Sequence, residues 1–90
     1  METVLITWVD AVTSSEPGWT TKEEALVTAS SPLPLMHTVG FVLYKDSEHI
    51  ALTDSRGDDE FGQVTKIPIA MIVQCNRMEC IDKENNQWHK

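Results

Sequence analysis

Four acids crowd into one stretch, "DSRGDDEFG": Asp54, Asp58, Asp59 and Glu60. Carboxylates at that density suggest a site for a hard cation, which takes oxygen ligands. The spacing argues against it. A calcium loop sets its ligands at alternating positions, with a glycine at the sharp turn and a bidentate acid at the end. Here Gly57 and Gly62 bracket three of the acids, Asp58, Asp59 and Glu60, instead, so a solvated acidic loop is expected and no metal ligands are assigned. Arg56-Gly57-Asp58 within it spells an integrin-recognition tripeptide, but matches of three residues arise readily by chance. Cys75 and Cys80 are the only cysteines, with four residues between them in "CNRMEC". No second Cys or His pair lies nearby to complete tetrahedral zinc. Nucleophilic catalysis would need a Ser or Cys with a base and an orienting group. His37, His49 and His89 fall before a strand, beside a turn and in the tail. His37 is the base within conceivable reach of Cys75, yet Cys75 reads as a core position, where burial would make its thiol inert. The four glycines are isolated and form no phosphate cradle. No catalytic residue and no cofactor is expected, and the chain does not read as an enzyme.

Recognition is the remaining chemistry, and its candidates are aromatic. Of Trp8, Trp19 and Trp88, the first is expected in the core. Trp19 follows "SSEPG" and has two readings: a lid over one end of the fold, or an anchor on an exposed rim. Aromatic side chains on such a rim serve as anchors for a partner. The rim would comprise Trp19, Asp10, Ser14 and Tyr44. Base stacking on Trp19 and Tyr44 is a further option, which the surrounding negative charge opposes.

Positioning those residues requires elements, and most read as strands. "TVLITWVD" (3–10) is β-branched and aromatic, with Val4, Ile6 and Trp8 on one face and Leu5, Thr7 and Val9 on the other. Apolar residues on both faces predict a strand covered on both sides or paired with another chain. "AVTSSEPGW" breaks it. "TTKEEALV" predicts a short helix capped by Thr20 or Thr21, with Glu23 or Glu24 in capping-box spacing and Ala25 and Leu26 toward the core. The two prolines of "SSPLPL" stop it near Ala29. "TVGFVLYKDSEHIALTDS" then alternates on either side of "KDSE", the pattern of a β-hairpin. "QVTKI" predicts a fourth strand, "PIAM" a tight or 3₁₀ step because proline donates no hydrogen bond, and "IVQCNRM" a fifth strand. Cys75 would point from that strand into the core. The expected order is strand-helix-strand-strand-strand-strand, a mainly β chain. A small five-stranded barrel fits best, because closure removes unpaired edges; an open five-stranded sheet crossed by one helix is the competing architecture.

Ninety residues bound this to one small domain, expected over 1–80, with the polar segment 81–90 fraying. Fourteen acids against seven bases give a net charge of −7. The cations are scattered, which argues against a grip on phosphate backbones, since that needs clustered Lys and Arg. An acidic surface suits solubility or a basic protein partner. No apolar run reaches membrane-spanning length, so no membrane partner is expected. "METVLITWVD" lacks a basic region before its apolar run, so a cytoplasmic setting with reduced thiols is expected.

The succession "TWVDA", "GW", a short acidic helix, "TVGFVLYKDSEHIALT" and "KIPIAMIVQC" resembles small uncharacterised proteins of tailed phages and prophages over residues 5–78. The closing "V-x-K-I-P-x-x-x-I" resembles the fourth strand, 3₁₀ turn and fifth strand of SH3-like and Sm-like barrels. The first resemblance implies a host-cell cytoplasm. The second implies architecture alone, because fold does not transmit function. Three functions are carried forward: binding protein, as a homo-oligomer or on a host macromolecule; an Sm-like nucleic-acid module, which the charge opposes; and sequestration of a small metabolite or nucleotide. The first leads.

Overall fold

The structure, a computed structural model, describes residues 1–13 and 18–79. Its elements are β1 (Thr3–Val9), α1 (Lys22–Ser30), β2 (Leu35–Lys45), β3 (His49–Thr53), β4 (Val64–Pro68), a 3₁₀ step (Ile69–Met71) and β5 (Ile72–Met78). All five strands join one antiparallel sheet in the order β4-β3-β2-β1-β5. Among the described residues no helix is long and apolar enough to cross a membrane.

Alternation in β1 sorts its side chains. Val4 and Ile6 are buried and Trp8 packs beside them. In the register they stand opposite Gly40, Thr38 and Met36 of β2. The buried core comprises Val4, Ile6, Ile50, Leu52 and Ile67, flanked by Trp8, Val42, Ile69 and Ile72. Ile67 lies on β4 and Ile6 on β1, three strand spacings apart in the sheet order. In a flat sheet that is about 14 Å, far beyond side-chain contact. Both are completely buried although α1 buries no residue, so the sheet curls over its own core with this face inward. Ile69 of the 3₁₀ step packs against that core, and its amide donates to the Glu48 carbonyl at 2.8 Å, one step past His49↔Pro68 of the β3–β4 ladder.

Curling brings β3 close against β2, and Gly40 permits it. A Cβ at Gly40 would stand 2.8 Å from the Thr53 carbonyl oxygen and 3.0 Å from Leu52 Cβ. Beyond it the β2–β3 ladder runs from Phe41↔Thr53 to Lys45↔Ile50, with a bulge between Val42 and Tyr44. The expected hairpin is thus present, and its core face on β2 is that of Gly40 and Val42. Val39, on the other face, is exposed.

Three expectations are corrected. No ladder joins β4 to β5, so the sheet is open where a closed barrel was expected. Ala25 and Leu26 do not reach the core, since α1 has no buried residue. The reason lies at its roots: Asp10 N donates to the Pro34 carbonyl at 3.1 Å, one step past Val9↔Leu35. Chain 11–33 thus leaves and rejoins at the far end of the β1–β2 ladder, while the curled sheet covers its own core. Cys75 is exposed. It lies opposite Ile6, but β5 is an edge strand and no described residue buries that position. Cys80, Trp88, His89 and the segment 81–90 lie outside the described residues.

Candidate interaction surface

The excursion between β1 and β2 carries the most exposed aromatic residue among the described ones. Gly18 adopts φ 100°, a left-handed conformation that glycine takes without steric cost. Trp19 follows it fully in solvent, at 103% relative exposure, so it is no lid. The helix then starts as the sequence predicts. Thr21 Oγ1 accepts from the Glu24 amide at 3.2 Å, and Thr20 Oγ1 donates to Glu24 Oε2 at 2.6 Å. At its other end the Ser31 hydroxyl donates to the Val27 carbonyl at 2.8 Å. Three of its four apolar residues, Ala25, Leu26 and Val27, are consecutive and so spread around the axis, with Ala29 one turn on. No coherent stripe forms, and Leu26 and Val27 stay exposed. Val12, Val27, Pro32 and Leu33 line a shallow hollow beside the helix end.

A polar cluster sits at the β2–β3 turn. Asp46 Oδ1 accepts from the Glu48 amide at 2.8 Å and the His49 amide at 2.9 Å, while Tyr44 donates to Asp46 Oδ2 at 3.0 Å. The two amides, His49 foremost, hold the Asp46 carboxyl below the usual carboxylate range. The same carboxylate, as hydrogen-bond acceptor first and as neighbouring charge second, raises the Tyr44 phenol above its ordinary value. His49 stacks obliquely on Tyr44, ring centres 5.5 Å apart. The cluster fixes a turn; it presents no nucleophile with a base.

The acidic stretch is ordered too. Arg56 and Phe61 form an isolated bridge, and the Gly57 amide donates to the Glu60 carbonyl at 2.7 Å, making a small hairpin with Asp58 and Asp59 at its tip. The Arg56 guanidinium lies 5.7 Å from the centre of the Phe41 ring, within cation–π range. Among the described residues no three His, Cys, Asp or Glu side chains group to hold a metal ion.

The sheet ends on two edges of different character. β4 is guarded, because Pro68 cannot extend a ladder and Lys66 places a charge there. β5, "IVQCNRM", has neither Pro nor Lys. Its one charge, Arg77, is held by Glu2 at 2.7 Å. Val73 is the extra residue of a bulge, left between the pairs Thr7↔Gln74 and Trp8↔Ile72. Sequence reasoning missed this edge because it assumed closure. The signal was available: neither proline nor lysine interrupts residues 72–78.

The four rim residues are not gathered. Asp10 terminates the β1–β2 ladder and its carboxylate accepts from the Ala11 amide. Tyr44 sits nine positions further along β2 than Leu35, about 30 Å of strand. Trp19 stands at the base of the helix, and Ser14 lies outside the described residues. No protein-family model matches the chain, and neither a curated protein nor a solved structure does.

Proposed function

We propose that this chain works by binding protein and catalyses no reaction. The observation that carries the reading is the excursion from β1 to β2: a nine-residue helix with no buried residue, preceded by a tryptophan wholly in solvent. A large aromatic ring exposed to water is costly unless something covers it, and tryptophan leads the residue types that anchor interfaces. Trp19, Leu26 and Val27 form the contact, with Val12 and Leu33 beside them. Tyr44 serves the turn instead. Acidic charge favours a partner with a basic rim around an apolar centre. The curled sheet and its 3₁₀ step support the finer architectural reading, an SH3-like barrel left open between β4 and β5. Resemblance to small phage proteins suits an accessory part of this sort, acting in a host cytoplasm.

Affinity capture with the full chain as bait tests the reading, set beside a Trp19→Ser/Leu26→Ser variant. The wild-type chain is expected to retain a protein that the variant loses. Equal retention by both would move the contact elsewhere; retention by neither, from a chain that is also monomeric, would overturn protein binding.

A further inference from the structure

We propose that the β5 edge is the seat of a symmetric dimer, in which β5 pairs antiparallel with β5 of a second copy about a two-fold axis at Cys75. This rests on the protein-binding reading and names one partner, the chain itself.

The asymmetry of the two sheet edges is the first argument. A proline and a lysine blunt β4, whereas β5 offers seven residues with neither. Natural sheets guard edges that must stay unpaired. Self-complementarity is the second. With Cys75 opposite Cys75, antiparallel geometry sets Gln74 opposite Asn76 of the other copy, and Arg77 opposite Val73. No like charges meet. Gln74 and Asn76 lie on the same face of β5 and already touch, Gln74 Nε2 donating to Asn76 Oδ1 at 3.3 Å. The two-fold axis would join both pairs into one patch of four amides, each a donor and an acceptor. Charge is the third. The chain carries −7 overall, yet residues 72–78 contain no acid, and Glu2 neutralises Arg77 within the same copy. Two copies of an acidic chain can therefore meet along this strand without setting acid against acid. Val73, 63% exposed, would be covered there.

The register dictates the test. Sedimentation of the full chain from micromolar to millimolar concentration is expected to show a dimer. Gln74→Glu/Asn76→Glu sets acid against acid twice across the axis and is expected to weaken the dimer by at least about tenfold. Gln74→Lys/Asn76→Glu sets lysine against glutamate twice and is expected to hold the dimer within about threefold of wild type. Both variants change only exposed side chains, and circular dichroism checks that each folds. In a Cys80→Ser background, mild copper-phenanthroline oxidation is expected to join two copies through Cys75, whose Cβ atoms would stand about 5 Å apart. Equal dimerisation by the two charge variants, or a dimer that never links through Cys75, would overturn the pairing. A chain monomeric throughout would overturn it as well, including the case in which β5 amides resist exchange because residues 80–90 occupy the edge. A monomer that still captures another protein leaves the broader reading standing; a monomer that captures none removes both.

Discussion

Tyr44 is the only tyrosine in the chain, so its titration can be followed by absorbance without interference from another phenol. Its hydroxyl donates to Asp46, and that bond together with the carboxylate charge favours the neutral phenol. Ionisation is therefore expected above the ordinary tyrosine range, and Asp46→Asn is expected to return it toward that range. An unchanged titration in the variant would contradict the geometry of the turn. For Asp46 the direction is opposite: its folded-state pKa is depressed. The stabilisation it brings is present above the usual aspartate value, about 3.9, and is lost as pH falls through the lowered one. Amide shifts of Glu48 and His49 followed into acid should record that loss. Gly40 supplies a second residue-scale prediction. A methyl group there would meet the Thr53 carbonyl at 2.8 Å, and backbone cannot easily yield. Gly40→Ala should cost about 1–3 kcal/mol by denaturant titration; a neutral result would mean that β2 and β3 lie further apart.

Elements divide into those that hold the fold and those that it carries. Ile67 and Ile6 are completely buried in the curl of the sheet, and either changed to alanine is expected to cost about 2–5 kcal/mol. Leu26→Ser on α1 should change the unfolding free energy by less than about 0.5 kcal/mol, because nothing there is buried. A large loss from Leu26→Ser would show that the helix packs after all. Strand positions were legible because β-branched residues and period-two alternation mark them. "IVQCNRM" matches β5 residue for residue, and Pro68 announced the 3₁₀ step. The Thr21 cap was legible for the same local reason, its hydroxyl needing only Glu24 three residues on. Placement of the helix was not. Ala25 and Leu26 are apolar, but burial depends on where 11–33 leaves and rejoins the sheet, a long-range fact that local pattern does not encode. Cys75 failed likewise: its face of the strand was right, opposite Ile6, but only the open sheet reveals that nothing lies over it.

For the whole molecule, curling and opening are coupled. The sheet buries its core by folding one face inward, which leaves β4 and β5 as edges and the outer face in contact with water. Leu35 and Val39 stand on that face, 56% and 55% exposed, and Met78 at 41% lies beyond them on β5. Among the described residues Thr7 Oγ1 lies 3.1 Å from His37 Nδ1 on the exposed face of the β1–β2 ladder, and Glu2, Thr3, Arg77 and Glu79 line an open hollow at the end of β5. What the fold offers is edge, apolar side chains and negative charge, the components of an interface. The rim imagined from sequence dispersed because Asp10 and Tyr44 mark opposite ends of β2. Trp19 is exposed because the chain after Asp10 leaves the sheet at the end of the β1–β2 ladder. The most direct measurement is the intact mass of the gently isolated full chain under native conditions. Protein binding predicts an assembly heavier than the 10.1 kDa single chain, as a second copy or another protein. A single species at that mass, persisting to about millimolar concentration, would contradict it.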